Sequence, residues 1–319
     1  MDGMENDGRH GTAIVFPGMG PSRFADVGKF MVVNPLARRL VALADETLGY
    51  PLVERFRAAG GDYSEYAQVA FLVNCLAMAQ WAETELGMAA DVCTGPSFGE
   101  KPMAAYAGSL TTEQAVWMTA RIARCMEEYF RDEHQDVVTQ SFVRTPEARL
   151  REILGELDEA GEWYEISCHL DDDFHMLSLR ESRLEWLLGR LRAGGGLPLY
   201  AMRPPMHCAA FGALRDRVEA EIFAELDFAD PALPVVSAQD GGAVTTADGV
   251  RSLLLDSFVR PLRWPAAVAA LEERGVRTAY VVGPDSLFGR VGTTTRAFDV
   301  VQALPKLSLM PRFRPPARS

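Results

Sequence analysis

The chain has 319 residues, 48% of them apolar and 24% charged, and a formal net charge of -12. That size and composition suit one large domain or two small ones with a sizeable core, and the acidic balance argues against general nucleic-acid binding, which needs a basic footprint. Five scattered cysteines (Cys75, Cys93, Cys125, Cys168, Cys208) without C-x-x-C spacing, no H-E-x-x-H and no membrane-length apolar run lead us to expect free thiols in a reducing cytoplasm, no metal centre and no membrane partner.

Taken in order, the polar MDGMENDGRHG reads as a short disordered lead, not a signal peptide. TAIVF (12–16) predicts a buried strand running into the glycine-rich turn PGMG. Helical periodicity spans 25–49 with a break at Pro35. Residues 64–86 form a long apolar helix capped by Ser64 and stopped by Gly87. AADVCTG predicts a strand, followed by a helix from Ser97 to about Tyr106 and another from near Thr112, capped by Thr111 or Thr112. Beyond residue 130 the texture changes. DVVTQSFVRT, PEARLREILGELDEAG, WYEISCHL, FHMLSLRE, SRLEWLLGRLRAGGG and LPLYAM read as βαββαβ, a ferredoxin-like unit. The acidic run 171–173 is expected to be a solvated hairpin turn. After Pro205 the pattern returns to helix (about Cys208 to Glu225), strand (PVVSAQ), turn (DGGAVT), two helices (VRSLLLDSFV, PAAVAALEERG) and two strands (RTAYVVGP, DVVQAL). The PRFRPPARS end reads as an extended tail. The expected fold class is α/β: a large subdomain with a mostly parallel sheet over 1–130 and 204–319, and a ferredoxin-like small subdomain inserted over 131–203.

GPSFG (95–99) fits G-x-S-x-G, the strand-to-helix turn that exposes a nucleophilic serine beside backbone N–H groups able to hold an oxyanion. Alone the motif is weak, because a serine that merely starts a helix matches it equally well. A serine also needs a base. His10 lies in the lead, His134 in a charged stretch, and His169 and His175 flank the inserted hairpin. His207 follows the rigid Pro204-Pro205 pair where the chain re-enters the large subdomain, a place for an imidazole over a cleft or for a structural cap.

The segments IVFPGMG, AQVAFLVNCLAMAQW, GPSFGE, PPMHCAAF and SFVRPLRWPAAVAALEERGVRTAYVVGP, in this order over nearly the whole chain, resemble the malonyl-CoA:acyl-carrier-protein transacylase family, including the acyltransferase units of polyketide synthases. The resemblance implies an α/β-hydrolase-like main domain with a ferredoxin-like insert. It implies Ser97 as the nucleophile that carries an acyl ester and His207 as its base, oriented by backbone carbonyls near Ser257. It implies an oxyanion hole made of the Met19 and Phe98 amides, and an acyl pocket including Gln68, Pro96, Ile122, Pro205 and Met206. The implied partner is an acyl carrier protein, whose phosphopantetheine arm brings the acyl group, with no cofactor held by the enzyme itself. For carrier-protein contacts the candidates are Arg144, Arg149, Arg290, Arg296, Lys306 and Met206. The family's usual state implies a monomer.

The departures from the family pattern bear on the substrate. Malonyl-transferring members place an arginine on the helix after the nucleophile, where it grips the malonyl carboxylate with two prongs. Here Ile122 takes that place. Arg121 is one residue away, and one helical step turns a side chain by about 100°. Pro96 stands where the family has His, and Pro204-Pro205-Met206 where extender-selecting members have motifs such as HAF or YAS. This pattern resembles stand-alone acyltransferases of macrolactam pathways, the VinK type, and implies an aminoacyl or dipeptidyl group moved between carrier proteins. The rival readings are a malonyl-CoA:carrier-protein transacylase with its arginine out of register, an editing hydrolase with the same dyad, and a non-catalytic docking module, which would need neither Ser97 nor His207.

Overall fold

The computed structural model describes residues 11–285 and 287–310, so the N-terminal lead and the arginine-rich tail lie outside the described residues. The strands are β1 (Gly11–Val15), β2 (Val92–Thr94), β3 (Val137–Val143), β4 (Tyr164–Asp171), β5 (Phe174–Arg180), β6 (Leu197–Met202), β7 (Val235–Val236), β8 (Ala243–Val244), β9 (Leu262–Arg263), β10 (Val276–Val282) and β11 (Asp299–Ala303). They form two sheets, in the orders β11-β10-β1-β2-β7-β8 and β6-β3-β5-β4-β9. In the first sheet every pair is parallel except β7–β8. This is the parallel sheet expected from strands alternating with helices.

The helix Glu65–Leu86 is buried without interruption from Ala67 to Ala79. A helix apolar on all sides belongs inside the protein, which explains why its sequence lacks a polar face. Ser64 caps its start by accepting from the Ala67 N–H, and Gly87 ends it in the left-handed region at φ 68°. Pro35 does not merely break a helix. It opens a second one (Pro35–Leu48), whose cap Asn34 accepts from the N–H groups of Leu36 and Ala37. Thr111 and Gln114 form a capping box at the head of the helix Thr112–Asp132.

In the second sheet the order β6-β3-β5-β4 is that of a ferredoxin-like unit, with the helices Glu147–Glu159 and Leu184–Ala193 on one face. The period-2 alternation along β5 sorts its side chains between two cores. Leu177 and Leu179 pack with Ile153 and Leu187 from those helices, whereas Phe174 and Met176 pack with Trp264 and Phe288 of the large subdomain. A fifth strand, β9, comes from outside the insert and adds parallel to β4.

Three expectations are corrected. The helix foreseen from Cys208 begins only at Gly212, after a short 3₁₀ turn (Ala209–Phe211). The turn DGGAVT contains the edge strand β8, and a helix Leu52–Ala58 was not foreseen. Asp171 is not part of a solvated turn: its carboxylate accepts from the N–H and hydroxyl of Thr293 and pairs with Arg296 at 2.7 Å, fastening the insert to the helix Gly292–Ala297.

Candidate active site

The site is built at the end of β2. Ser97 sits at φ 56°, in the left-handed region that costs a non-glycine residue roughly 1–3 kcal/mol and persists where the surroundings enforce it. Two glycines allow the turn. A Cβ on Gly95 would lie 2.2 Å from the Gly99 carbonyl oxygen, and a Cβ on Gly99 would lie 2.0 Å from the Phe16 carbonyl oxygen. The spacing of GPSFG is therefore set by backbone meeting backbone, which raises Ser97 above the strand ends.

His207 reaches this serine from the other side of the chain. Its Nε2 is 2.8 Å from Ser97 Oγ. It too is left-handed, at φ 62°, and it is buried. The next residue is tied down by the Cys208 N–H donating to the Phe258 carbonyl at 3.2 Å. Burial pulls the His207 imidazole down to about 4, opposed by the backbone carbonyls of Ser257 and Arg260, which favour the protonated ring. Neither carbonyl reaches full hydrogen-bond geometry, since Nδ1 is buried without a partner. We take these carbonyls as a weak orienting field, with no carboxylate bonded to the ring. At neutral pH the imidazole is uncharged, and with its proton on Nδ1 it can accept the Ser97 proton at Nε2.

This gives a pH prediction with a definite sign. A base depressed to about 4 stays competent until the medium is acidic enough to protonate it. The kcat/KM for acylation of Ser97 should stay level from about pH 8 to about pH 5 and fall below that. A fall centred near the ordinary histidine value of 6.5 would contradict the burial argument.

Two cavities meet at Ser97. One, of about 70 Å³, is lined by Met19, Gln68, Ser97, Phe98, Ile122, Met206 and Ser257, among others. The second, of about 200 Å³, is lined by Gly18, Met19, Ser97, Tyr200, His207 and Phe288, among others. Of the sequence-predicted pocket residues, Gln68, Ile122 and Met206 fall on the first cavity. Pro96 and Pro205 do not. Pro96 is buried behind the nucleophile, its carbonyl against Gly18. Beyond β6, Met202 and Met206 line the first cavity, Arg203 and Pro205 line a neighbouring groove, and Pro204 lines both.

Among the described residues no arginine lines the first cavity. Arg121 lies over the Trp117 ring at 5.7 Å, and Arg124 makes an ion pair with Glu65 at 2.6 Å. On the outer surface Arg149 and Arg296 are tied up in ion pairs with Glu152 and Asp171, which removes them as free basic contacts. Arg144 and Arg290 are exposed and form no ion pair among the described residues, and Lys306 is exposed beside a separate groove.

The sequence reading missed three polar groups here. Glu100 is fully buried, and burial pushes its carboxyl well above the usual range. It accepts from Gln239 Nε2 at 3.2 Å on one oxygen, and its other oxygen is buried without a partner. Lys101 and Tyr63 line the first cavity. Lys101 stands four residues after Ser97, one helical turn on, and that spacing was a usable signal.

The family model described as the VinK acyltransferase small domain matches residues 141–202. The malonyl CoA-acyl carrier protein transacylase of Bacillus subtilis (strain 168) is 25% identical over 282 residues, covering 85% of this chain and 86% of that protein. Over most of its length the chain is therefore similar to malonyl CoA-acyl carrier protein transacylases. Its fold is shared with the transacylase in a structure described as a type II polyketide synthase acyl carrier protein in complex with its malonyl-transacylase (TM-score 0.80, 20% identity, 92% of this chain and 95% of that one). It is shared equally with the transacylase of Coxiella burnetii (TM-score 0.79, 23% identity, 94% and 96%).

Proposed function

We propose that this protein is an acyltransferase that moves a non-malonyl acyl group, of the aminoacyl or dipeptidyl class, from one acyl carrier protein to another through an ester on Ser97, in polyketide or macrolactam biosynthesis. The observation that carries the reading is the arginine-free cavity beside the Ser97–His207 pair, with buried Ile122 in its wall. A malonyl carboxylate held there would lack the two-pronged guanidinium partner that matches it and would find only the point charge of Lys101. The match of the insert to the VinK small-domain model supports the same class.

The chemistry follows from the two cavities. The phosphopantetheine arm of the donor carrier protein enters the larger one, placing its thioester at Ser97 with the acyl group in the smaller. Ser97 Oγ attacks the carbonyl carbon as His207 Nε2 takes its proton. The backbone N–H groups of Met19 and Phe98 hold the oxyanion. The departing thiolate takes the proton from the imidazolium, leaving the ester. An acceptor thiol then enters, gives its proton to His207 and attacks the ester, and Ser97 recovers its proton from the imidazolium as the new thioester leaves. Arg144 and Arg290 are the free cations for an acidic carrier protein, and a small transient interface needs few of them. The buried free thiols fit a reducing cytoplasm.

The second reading, a malonyl transacylase, is favoured by the printed activity of the Bacillus subtilis relative. A competition separates the two. With equal butyryl- and malonyl-pantetheine thioesters, the wild-type protein should accumulate the butyryl ester on Ser97, read by intact mass. Ile122→Arg should raise the malonyl-to-butyryl ratio by about tenfold or more, the worth of a two-pronged charged contact. Malonyl dominance in the wild type would sink the first reading.

A further inference from the structure

The His207 ring meets Ser97 at Nε2, but among the described residues its buried Nδ1 has no partner. The aim of the imidazole therefore depends on the backbone that carries it. That backbone is left-handed, at φ 62°, a conformation that persists where the surroundings hold it. The holding contacts come from strand β4 of the insert. The Glu165 carboxylate accepts from the Ala209 N–H at 2.6 Å on one oxygen and from the Ala210 N–H at 3.3 Å on the other. Both N–H groups lie just beyond the base, at the head of the 3₁₀ turn Ala209–Phe211. Further along β4, its pairing with β5 slips between Ile166 and Cys168, leaving Ser167 as the extra residue of a bulge, a feature that re-aims side chains. The Ser167 hydroxyl is fully buried and stands 3.5 Å from Cys208 Sγ. It is anchored 2.6 Å from the Ser178 hydroxyl, which is itself 2.6 Å from the Thr139 hydroxyl. Cys208 Sγ donates to the Met206 carbonyl at 3.4 Å, so the thiol bridges the two sides of His207.

We propose that Glu165 is a positioning residue for His207: its carboxylate fixes the main chain that aims the imidazole at Ser97, with Ser167 as a second tie. The inference rests on the Ser97–His207 reading above and gives the insert a part in it. In a Ser-His-Asp site a carboxylate orients the imidazole through Nδ1. Here a carboxylate acts on the main chain just after the base, through charge-assisted bonds to two N–H groups. Without it, Ala209 and Ala210 are released, the strained backbone at His207 relaxes, and the ring turns off Ser97 Oγ. A cap that served helix stability alone would behave differently, and Asn34 supplies the comparison. Its side chain also accepts from two N–H groups, at the head of the helix Pro35–Leu48, which contributes no residue to either cavity at Ser97.

The test follows Ser97 by intact mass with two reagents, butyryl-pantetheine thioester and a fluorophosphonate. Ser97 Oγ displaces fluoride from the phosphorus of the second as His207 takes the serine proton. Glu165→Ala should slow both reactions by about 100-fold, with the thioester concentration for half-maximal rate within about twofold of wild type. Glu165→Gln keeps one accepting oxygen and should recover to within about tenfold of wild type, and Ser167→Ala should cost about fivefold. In His207→Ala protein none of these substitutions should slow Ser97 further, because the group they position is gone. Asn34→Ala should lower the unfolding temperature and leave both rates unchanged. Wild-type rates in Glu165→Ala, an undiminished loss in the His207→Ala background, or an equal loss in Asn34→Ala would overturn the proposal. If Glu165→Ala does not fold, Glu165→Gln and Ser167→Ala carry the same comparison. Fluorophosphonate labelling without any thioester adduct would remove the acyl-ester reading and still decide the role of Glu165. A wild-type protein inert to both reagents would remove both.

Discussion

Replacing His207 with Ala should slow formation of the Ser97 ester by about 10³-fold or more, and Ser97→Ala should abolish it. The serine hydroxyl is nearly un-ionised at neutral pH, so its reactivity depends on the imidazole 2.8 Å away. Among the described residues no other histidine stands beside Ser97. His169 and His175 face each other across β4 and β5, and His134 packs against Tyr129 and Phe211. Because both residues act in one proton transfer, the double variant should be no slower than Ser97→Ala alone. Single-turnover acylation by mass measures all three. A His207→Ala rate within a few-fold of wild type would mean that the 2.8 Å contact is not the working one.

The second large effect is structural. Gly99→Ala should lower stability by about 3 kcal/mol or more and cut acylation by about 100-fold, because its Cβ would sit 2.0 Å from the Phe16 carbonyl oxygen. Neither side of that contact is a flexible side chain. Phe16 directly follows β1 and leads into Pro17-Gly18-Met19, so relief of the clash moves the Met19 amide away from Ser97. Gly87→Ala is the contrast: its left-handed φ strains an alanine, but nothing lies within 4 Å, so only about 1 kcal/mol should be lost and activity kept. Thermal unfolding and acylation rates on the two variants separate steric displacement from backbone strain. Equal, mild losses in both would contradict it.

What could be read in the sequence was what local chemistry encodes. The buried helix Glu65–Leu86, its Ser64 cap, the GPSFG turn and the βαββαβ order of the insert each leave a pattern within a few residues. The two-residue strands β8 and β9 left none, since they exist only through pairing with β7 and β4. Asp171 looked like a solvated acid because its partner Thr293 is 122 residues away. The same limit applied at the site. Ser97 and His207 were found through motifs, while the bond between them spans 110 residues and needed the fold. Pro96 and Pro205 were placed in the pocket by their neighbours in sequence, but Pro96 is buried beside the strained turn and Pro205 lines the neighbouring groove. Lys101 and Tyr63 belong to no expected motif, and only the cavity they share brings them together.

The most direct test of the central claim is a chase of the isolated acyl enzyme. Protein carrying a butyryl ester on Ser97 would be split between buffer alone and buffer with a holo acyl carrier protein, and both followed by intact mass. The account predicts that the ester persists in buffer and moves to the carrier thiol within the mixing experiment, leaving free Ser97. Decay to free butyric acid at the same rate in both samples would contradict it and identify a hydrolase.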